Sequence, residues 1–195
     1  MKRINTTEDF GTPITPAYLI GTYNEDGFPN FCPITWVSST WDNDHGLMVI
    51  SMNGAKKTKE NIARTGIFSA NLVSTDMLEL LDYFGSSSGL DAPKNTLPYE
   101  YENGHVLRVP TLNASRKVFE CEVVNTFETS DTTTYFCVSR NCQVIEGLNS
   151  GDQDAEGMGS EVQKMALLEP VVYAGRYFKV GEYLGEMGDF YVKEK

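Results

Sequence analysis

The segment Ser51-Met-Asn-Gly-Ala-Lys-Lys-Thr-Lys-Glu-Asn61 concentrates the residues best equipped for chemistry. A strand pattern ends near Ser51, Gly54 frees the backbone, and a helix pattern begins with three lysines and a hydroxyl in its first turn. A helix start already carries partial positive charge and favours anions, so lysines gathered there leave room for a negative partner. A phosphate would take hydrogen bonds from the free N–H groups, from the Ser51 and Thr58 hydroxyls and from a lysine ammonium. The other reading is a basic helix end that is simply solvated. In a chain with 16 Lys plus Arg against 27 Asp plus Glu, for a net charge of −11, this local reversal of sign is informative.

A second group surrounds Pro33. Phe31, Trp36 and Trp41 are aromatics of the kind that usually fill a core. Pro33 nevertheless interrupts ladder pairing, which leaves main-chain groups nearby for a flat heteroaromatic ligand. Asn71 is the one amide on an otherwise apolar strand, and once buried it needs partners, from the backbone or from a ligand. Triads, paired acids and a nucleophile elbow do not emerge, so no catalytic residue is identified and a cofactor would carry any chemistry. His45 and His105 sit in polar turns and are expected to face solvent. Cys32, Cys121, Cys137 and Cys142 contain no Cys-x-x-Cys pair, so no metal site is expected and the thiols read as reduced, small buried hydrophobes.

The elements that must position these residues are mostly strands. Ala17–Tyr23 is β-rich, Asn24-Glu-Asp-Gly27 offers a tight reversal, and Asn30–Thr40 reads as a strand that is an edge or bulged at Pro33. Leu47–Ser51 reads as a strand buried on both faces, and Ile67–Val73 as another. Lys56–Arg64 predicts a surface helix stopped at Gly66; Thr75–Phe84 predicts one packed through Met77, Leu80, Leu81 and Phe84. Phe119, Cys121, Val123 and Phe127 alternate with Glu120, Glu122 and Glu128 as a half-buried strand would. A turn at Ser130-Asp131 leads into a partner strand over 132–145, with Phe136, Val138, Cys142 and Val144 on one face. Residues 85–110 suit a lid or functional loop, 149–159 an exposed acidic loop, and 171–180 a last strand or strand pair. Strands that pair locally favour an antiparallel barrel over a doubly wound sheet.

At 195 residues the chain is long enough for one domain, 1–195. No apolar run is long enough for a membrane helix, and Met1–Thr7 has no secretory pattern, so a cytoplasmic protein is expected. The negative charge argues against nucleic acid and anionic lipid as partners.

Asn30-Phe-Cys-Pro-Ile-Thr-Trp-Val-Ser38, Leu47-Met-Val-Ile-Ser-Met52, Lys57-Thr-Lys-Glu-Asn-Ile62 and Gly66-Ile-Phe-Ser-Ala-Asn71, in that order, resemble the flavin reductase-like FMN-binding family of flavoredoxin type. Ser87-Ser-Gly-Leu-Asp-Ala-Pro-Lys94 is similar to its Ser-Gly…Asp-Lys segment, and Gly175-Arg-Tyr-Phe-Lys-Val-Gly181 to its C-terminal strand. The resemblance implies a mainly β, Greek-key split barrel with a few peripheral helices, a homodimer, and FMN near the dimer interface. By position, Pro33, Ile34, Thr35, Trp36, Val37 and Ser38 would lie along the isoalloxazine ring, largely through main chain. Ser51, Asn53, Lys57 and Thr58 would hold the phosphate, Asn71 would sit beside the flavin, and Ser87 and Ser88 would approach it. The implied function is an oxidoreductase passing electrons from NAD(P)H through FMN to a flavin, a protein partner or another acceptor. The alternatives are an FMN-binding electron carrier reduced by another protein, and a small barrel without cofactor. Where many relatives carry a histidine before the Gly-x-Tyr motif, this chain reads Val171-Val-Tyr-Ala174, which leaves NAD(P)H use open.

Overall fold

The computed structural model describes residues 14–43, 45–146, 148, 164–182 and 184. In chain order the strands are β1 (Thr15–Pro16), β2 (Tyr18–Tyr23), β3 (Pro29–Ile34), β4 (Val37–Asp42), β5 (His45–Asn53), β6 (Ile67–Leu72), β7 (Tyr101–Asn103), β8 (Pro110–Leu112), β9 (Lys117–Glu128), β10 (Thr132–Val144), β11 (Val171–Tyr173) and β12 (Tyr177–Lys179). The helices are α1 (Lys57–Thr65) and α2 (Leu78–Ser86), the latter entered through a 3₁₀ turn at Thr75–Met77, and a helical turn covers 164–168. The expected acidic loop at 149–159 and the N-terminal segment Met1–Thr7 lie outside the described residues.

Local signals behave as their chemistry dictates. Asn24 and Phe28 close the first hairpin, with Gly27 at φ 85° where a side chain would be strained. Gly66 ends α1 in the left-handed region at φ 72°, its N–H donating to the Ile62 carbonyl at 2.7 Å. Ser130-Asp131 turns β9 into β10, and β11 and β12 form the C-terminal pair.

Seven strands form one antiparallel sheet in the order β3-β2-β6-β9-β10-β5-β4. The sheet curls so that β3 approaches β5, and Ile34 joins Ile50 and Met52 in a buried core with Ile20, Phe68, Cys121 and Cys137. No ladder joins the edges β3 and β4, which makes the molecule an antiparallel split barrel with peripheral helices. The 30–40 run is two strands rather than one. Pro33 supplies no N–H, Val37 N–H donates back to the Thr35 carbonyl at 3.0 Å, and the chain leaves one sheet edge to join the other. A second core lies outside the barrel, where Met77, Leu81 and Phe84 of the α2 region cover Leu19 and Phe31.

Two expectations about faces fail and a third holds in part. β5 buries Ile50 and Met52 on the face that packs with half-buried Met48 into the barrel core, and Leu47 on the other face, where Val49 is only half-buried. On β10 the buried side chains are Thr133, Tyr135 and Cys137, the odd-numbered face, whose Tyr135 and Cys137 pack into the barrel core, while Phe136 and Val138 are half-buried and Cys142 and Val144 exposed. Glu120, expected on the solvent face, is 0% exposed. Its Oε1 accepts from His105 N–H (2.9 Å), Asn141 Nδ2 (2.6 Å) and Gln143 Nε2 (2.9 Å), and its Oε2 from the N–H groups of Val106 (2.9 Å) and Leu107 (2.6 Å). The far end of the 85–110 segment is thereby pinned to β9 and β10. Among the described residues no helix is long and apolar enough to cross a membrane.

Candidate functional site

A cavity of about 400 Å³ opens between the start of α1, the edge strand β3 and the C-terminal end of α2. α1 begins after Lys56, whose backbone is extended (φ −149°) and whose side chain makes no cap, so the first N–H groups of the helix keep their donors. The three lysines separate in space. Lys59 reaches the Asp131 carbonyl at 3.3 Å, away from the cavity, and Lys57 pairs with Glu60 at 3.0 Å. Lys56 has no ion-pair partner among the described residues, and with Lys57 and Thr58 it lines the cavity.

Thr58 is buried because its hydroxyl belongs to a polar network that ties α1 to the first hairpin. Asn30 Nδ2 donates to Thr58 Oγ1 (2.9 Å) and to Thr22 Oγ1 (3.4 Å), while Asn61 Nδ2 donates to Thr22 Oγ1 (3.0 Å) and Asn24 Oδ1 (2.9 Å). With a lone pair of Thr58 engaged by an amide donor, its O–H is left to donate. The opposite wall is the 85–89 segment. A Cβ on Gly85 would stand 3.3 Å from Pro33 Cγ, and one on Gly89 would collide with Asn30 Oδ1 and stand 3.2 Å from Lys57 Cβ. The segment thus runs the length of the cavity, and only a bare backbone fits at its Lys57 end.

Two further groups complete the lining. Cys32 faces the cavity from β3, where burial pushes its thiol pKa up against the opposing influence of Lys56, Lys94 and Thr58. Lys94 is buried, and desolvation lowers its pKa. No group of three or more His, Cys, Asp or Glu side chains suited to a metal occurs among the described residues, and His45 and His105 are exposed.

The structure brings together Pro33, Lys57 and Thr58 of the candidates read from sequence, with Ser87 and Ser88 beside them. The others lie outside the lining. Ile34 is in the barrel core, and Thr35, Trp36, Val37 and Ser38 lead away along the crossing to β4. Ser51 Oγ bonds Thr134 Oγ1 at 2.8 Å, and Asn53 is exposed at the end of β5. Asn71 is fully engaged by protein: its Nδ2 donates to the Leu19 carbonyl and Ser69 Oγ, both at 2.9 Å, and its Oδ1 accepts from Leu112 N–H at 2.8 Å. Lys56, one of the three lysines read at the helix start, also lines the cavity, while Asn30, Cys32 and Lys94 are polar lining residues to which the sequence assigned no role, although each falls inside a motif of the family resemblance.

Residues 10–181 match the model of the flavin reductase like domain. The chain belongs to the flavin reductase-like family. Solved structures agree on the fold of this flavin reductase-like chain. Flavoredoxin from Methanosarcina acetivorans superposes with a TM-score of 0.81 at 23% identity, covering 97% of each chain. Flavoredoxin of Desulfovibrio vulgaris (Miyazaki F) gives 0.81 at 22% identity, with coverage of 97% of this chain and 99% of that one. The FMN-binding protein from Thermus thermophilus, solved with p-hydroxybenzaldehyde, gives 0.73 at 19% identity over 96% and 98%. No curated protein sequence matches the chain.

Proposed function

We propose that this flavin reductase-like protein binds FMN in the cavity at the start of α1 and works as an FMN-dependent oxidoreductase. The observation that carries the reading is the uncapped helix start, with Lys56, Lys57 and the donor-ready Thr58, opening onto a cavity that continues past the Gly85–Gly89 wall to Pro33. That arrangement fits a ligand with a phosphate at one end and a flat body extending from it. When bound, FMN supplies the redox chemistry, accepting a hydride and passing electrons onward. The protein's part is to hold and orient. Lys56, Lys57 and Thr58 grip the phosphate, the Asn30 amide keeps the Thr58 hydroxyl turned to donate, and Pro33 with the main chain leading to Ser38 flanks the ring.

NAD(P)H is the proposed electron donor, and a flavin, a protein partner or another small acceptor takes the electrons. Large exposed apolar side chains on the barrel, Trp41 at 76% and Phe127 at 63% exposure, support a homodimer. Four free cysteines suit the reducing cytoplasm.

The test is an absorbance titration of the purified protein with FMN and separately with riboflavin, followed by NADH and then NADPH under argon. The reading expects FMN to bind more tightly than riboflavin. Lys57→Ala and Thr58→Val should each weaken FMN by about tenfold, an energy of about 1.4 kcal/mol, with riboflavin unchanged. Equal affinity for the two flavins, or variants that alter both alike, would remove the phosphate site. Flavin bands that bleach with a pyridine nucleotide identify the donor; bands that persist leave a carrier reduced by another protein.

A further inference from the structure

Lys94 carries its charge into the protein, only 8% exposed. Its ammonium donates to the Phe84 carbonyl and, at 3.3 Å, to the Phe31 carbonyl. Among the described residues no carboxylate pairs with it. A charge removed from water is normally neutralised or paired, and an ammonium has three donors, of which two are engaged here. Lys94 also lines the cavity.

Its place along the cavity is fixed. Gly85 stands against Pro33, whereas Gly89 stands against Asn30 and Lys57. Lys94, bound to the main chain of Phe31 and Phe84, lies on the side of the Cys32–Pro33 and Gly85 wall, with Lys56 of the helix start within electrostatic reach. The cavity therefore carries a buried positive charge beyond those of the helix start: the uncapped start of α1 suits a phosphate, and the wall of Pro33 and Gly85 that Lys94 underpins is left for the flat body of the ligand. That second charge has no oxidised partner to meet, because an oxidised isoalloxazine ring is neutral. Uptake of a hydride adds two electrons and one proton and leaves the ring with one net negative charge. A cation already fixed beside it has nothing to reorganise when that charge arrives.

We propose that Lys94 tunes the redox state of the site, its buried ammonium holding the reduced flavin more tightly than the oxidised one. This rests on the reading of the cavity as a flavin site. The competing role is structural: Lys94 caps the last carbonyls of α2 and clips them to β3. Charge and clip separate by substitution. Lys94→Gln keeps N–H donors for the two carbonyls and removes the charge, Lys94→Met removes both, and Lys94→Arg keeps both.

Each full-length variant is loaded with FMN, its affinity for oxidised FMN is measured by titration, and its midpoint potential by dye-coupled reduction under argon. In Lys94→Gln and Lys94→Met, oxidised FMN should bind within about twofold of the parent, while the ratio of reduced to oxidised affinity falls about tenfold, equivalent to about 30 mV for a two-electron couple. Lys94→Arg should retain the parent's potential. If the Gln variant does not fold, the Met variant, with an apolar side chain of similar length, carries the test. An unchanged potential in the charge-free variants, or equal weakening of both redox states, reduces Lys94 to a clip and overturns the inference. If the parent takes up no FMN, the flavin reading of the cavity falls, and the inference with it.

Discussion

Glu120 is the carboxylate on which the 105–107 segment hangs, and its geometry predicts how the protein fails in acid. Burial works against its charged form, but hydrogen bonds from Leu107 N–H, Asn141, Gln143 and Val106 N–H outweigh that and bring the pKa from 4.5 down to about 2. A depressed carboxylate contributes stability that is complete above its unfolded value and is lost as pH falls toward its folded value. A difference of about 2.5 units makes that contribution about 3 kcal/mol at pH 7. One unit below 4.5, near pH 3.5, about 1.4 kcal/mol of it has gone. Glu120→Gln keeps the shape but turns an NH₂ group toward donors, so the variant should be less stable by about 3 kcal/mol at pH 7. The assay is urea unfolding of both proteins at equal concentration from pH 7 to pH 3, because subtracting the curves cancels the other carboxylates. The gap should narrow below about pH 4.5. A gap that stays constant across that range, or one below about 1 kcal/mol at neutral pH, would refute the reasoning.

Three further outcomes are expected. A Cβ on Gly21 would stand 2.5 Å from the Pro110 carbonyl and 2.6 Å from Phe31 Cε1, so Gly21→Ala should lose about 1–3 kcal/mol in the same unfolding assay. Asn71→Ala strands the Leu112 N–H and should also lose about 1–3 kcal/mol, while FMN titration of the folded variant shows unchanged affinity. With an aromatic disulfide reagent, exposed Cys142 should react first and buried Cys121 and Cys137 only on unfolding, while added FMN slows half-buried Cys32 at the cavity wall.

Features set by neighbours in sequence were legible before the structure. Gly66 stops α1 because only the left-handed region suits the chain there, and Asn24–Gly27 turns because its residues favour turning. The helix over Met77, Leu81 and Phe84 announced itself by spacing, and the lysine-flanked start of α1 by Gly54 and the residues after it. What stayed hidden depends on distant partners. Glu120 alternates like a solvent-facing residue, and its burial rests on donors 13 to 23 positions away. Lys94 enters the cavity only because Phe31 and Phe84, from different elements, turn carbonyls toward it. The face that β10 buries was misread because both of its faces carry apolar side chains, Tyr135 and Cys137 on one and Phe136 and Val138 on the other, and only the neighbouring strands decide which packs inward. The break at Thr35-Trp36 was likewise invisible, since sending adjacent strands to opposite edges of a sheet is a property of the closing barrel.

That break leaves β3 as a free edge, and an edge strand is a template for adding another chain. Here the edge is spoiled as a template by the same residues that shape the cavity. Pro33 removes a donor, Lys94 occupies the Phe31 carbonyl, and the Gly85–Gly89 segment shields the outward side. Protection of the edge and the shape of the cavity therefore rest on the same residues: altering Pro33 or Lys94 should show itself as intermolecular strand pairing and clumping as well as in the cavity.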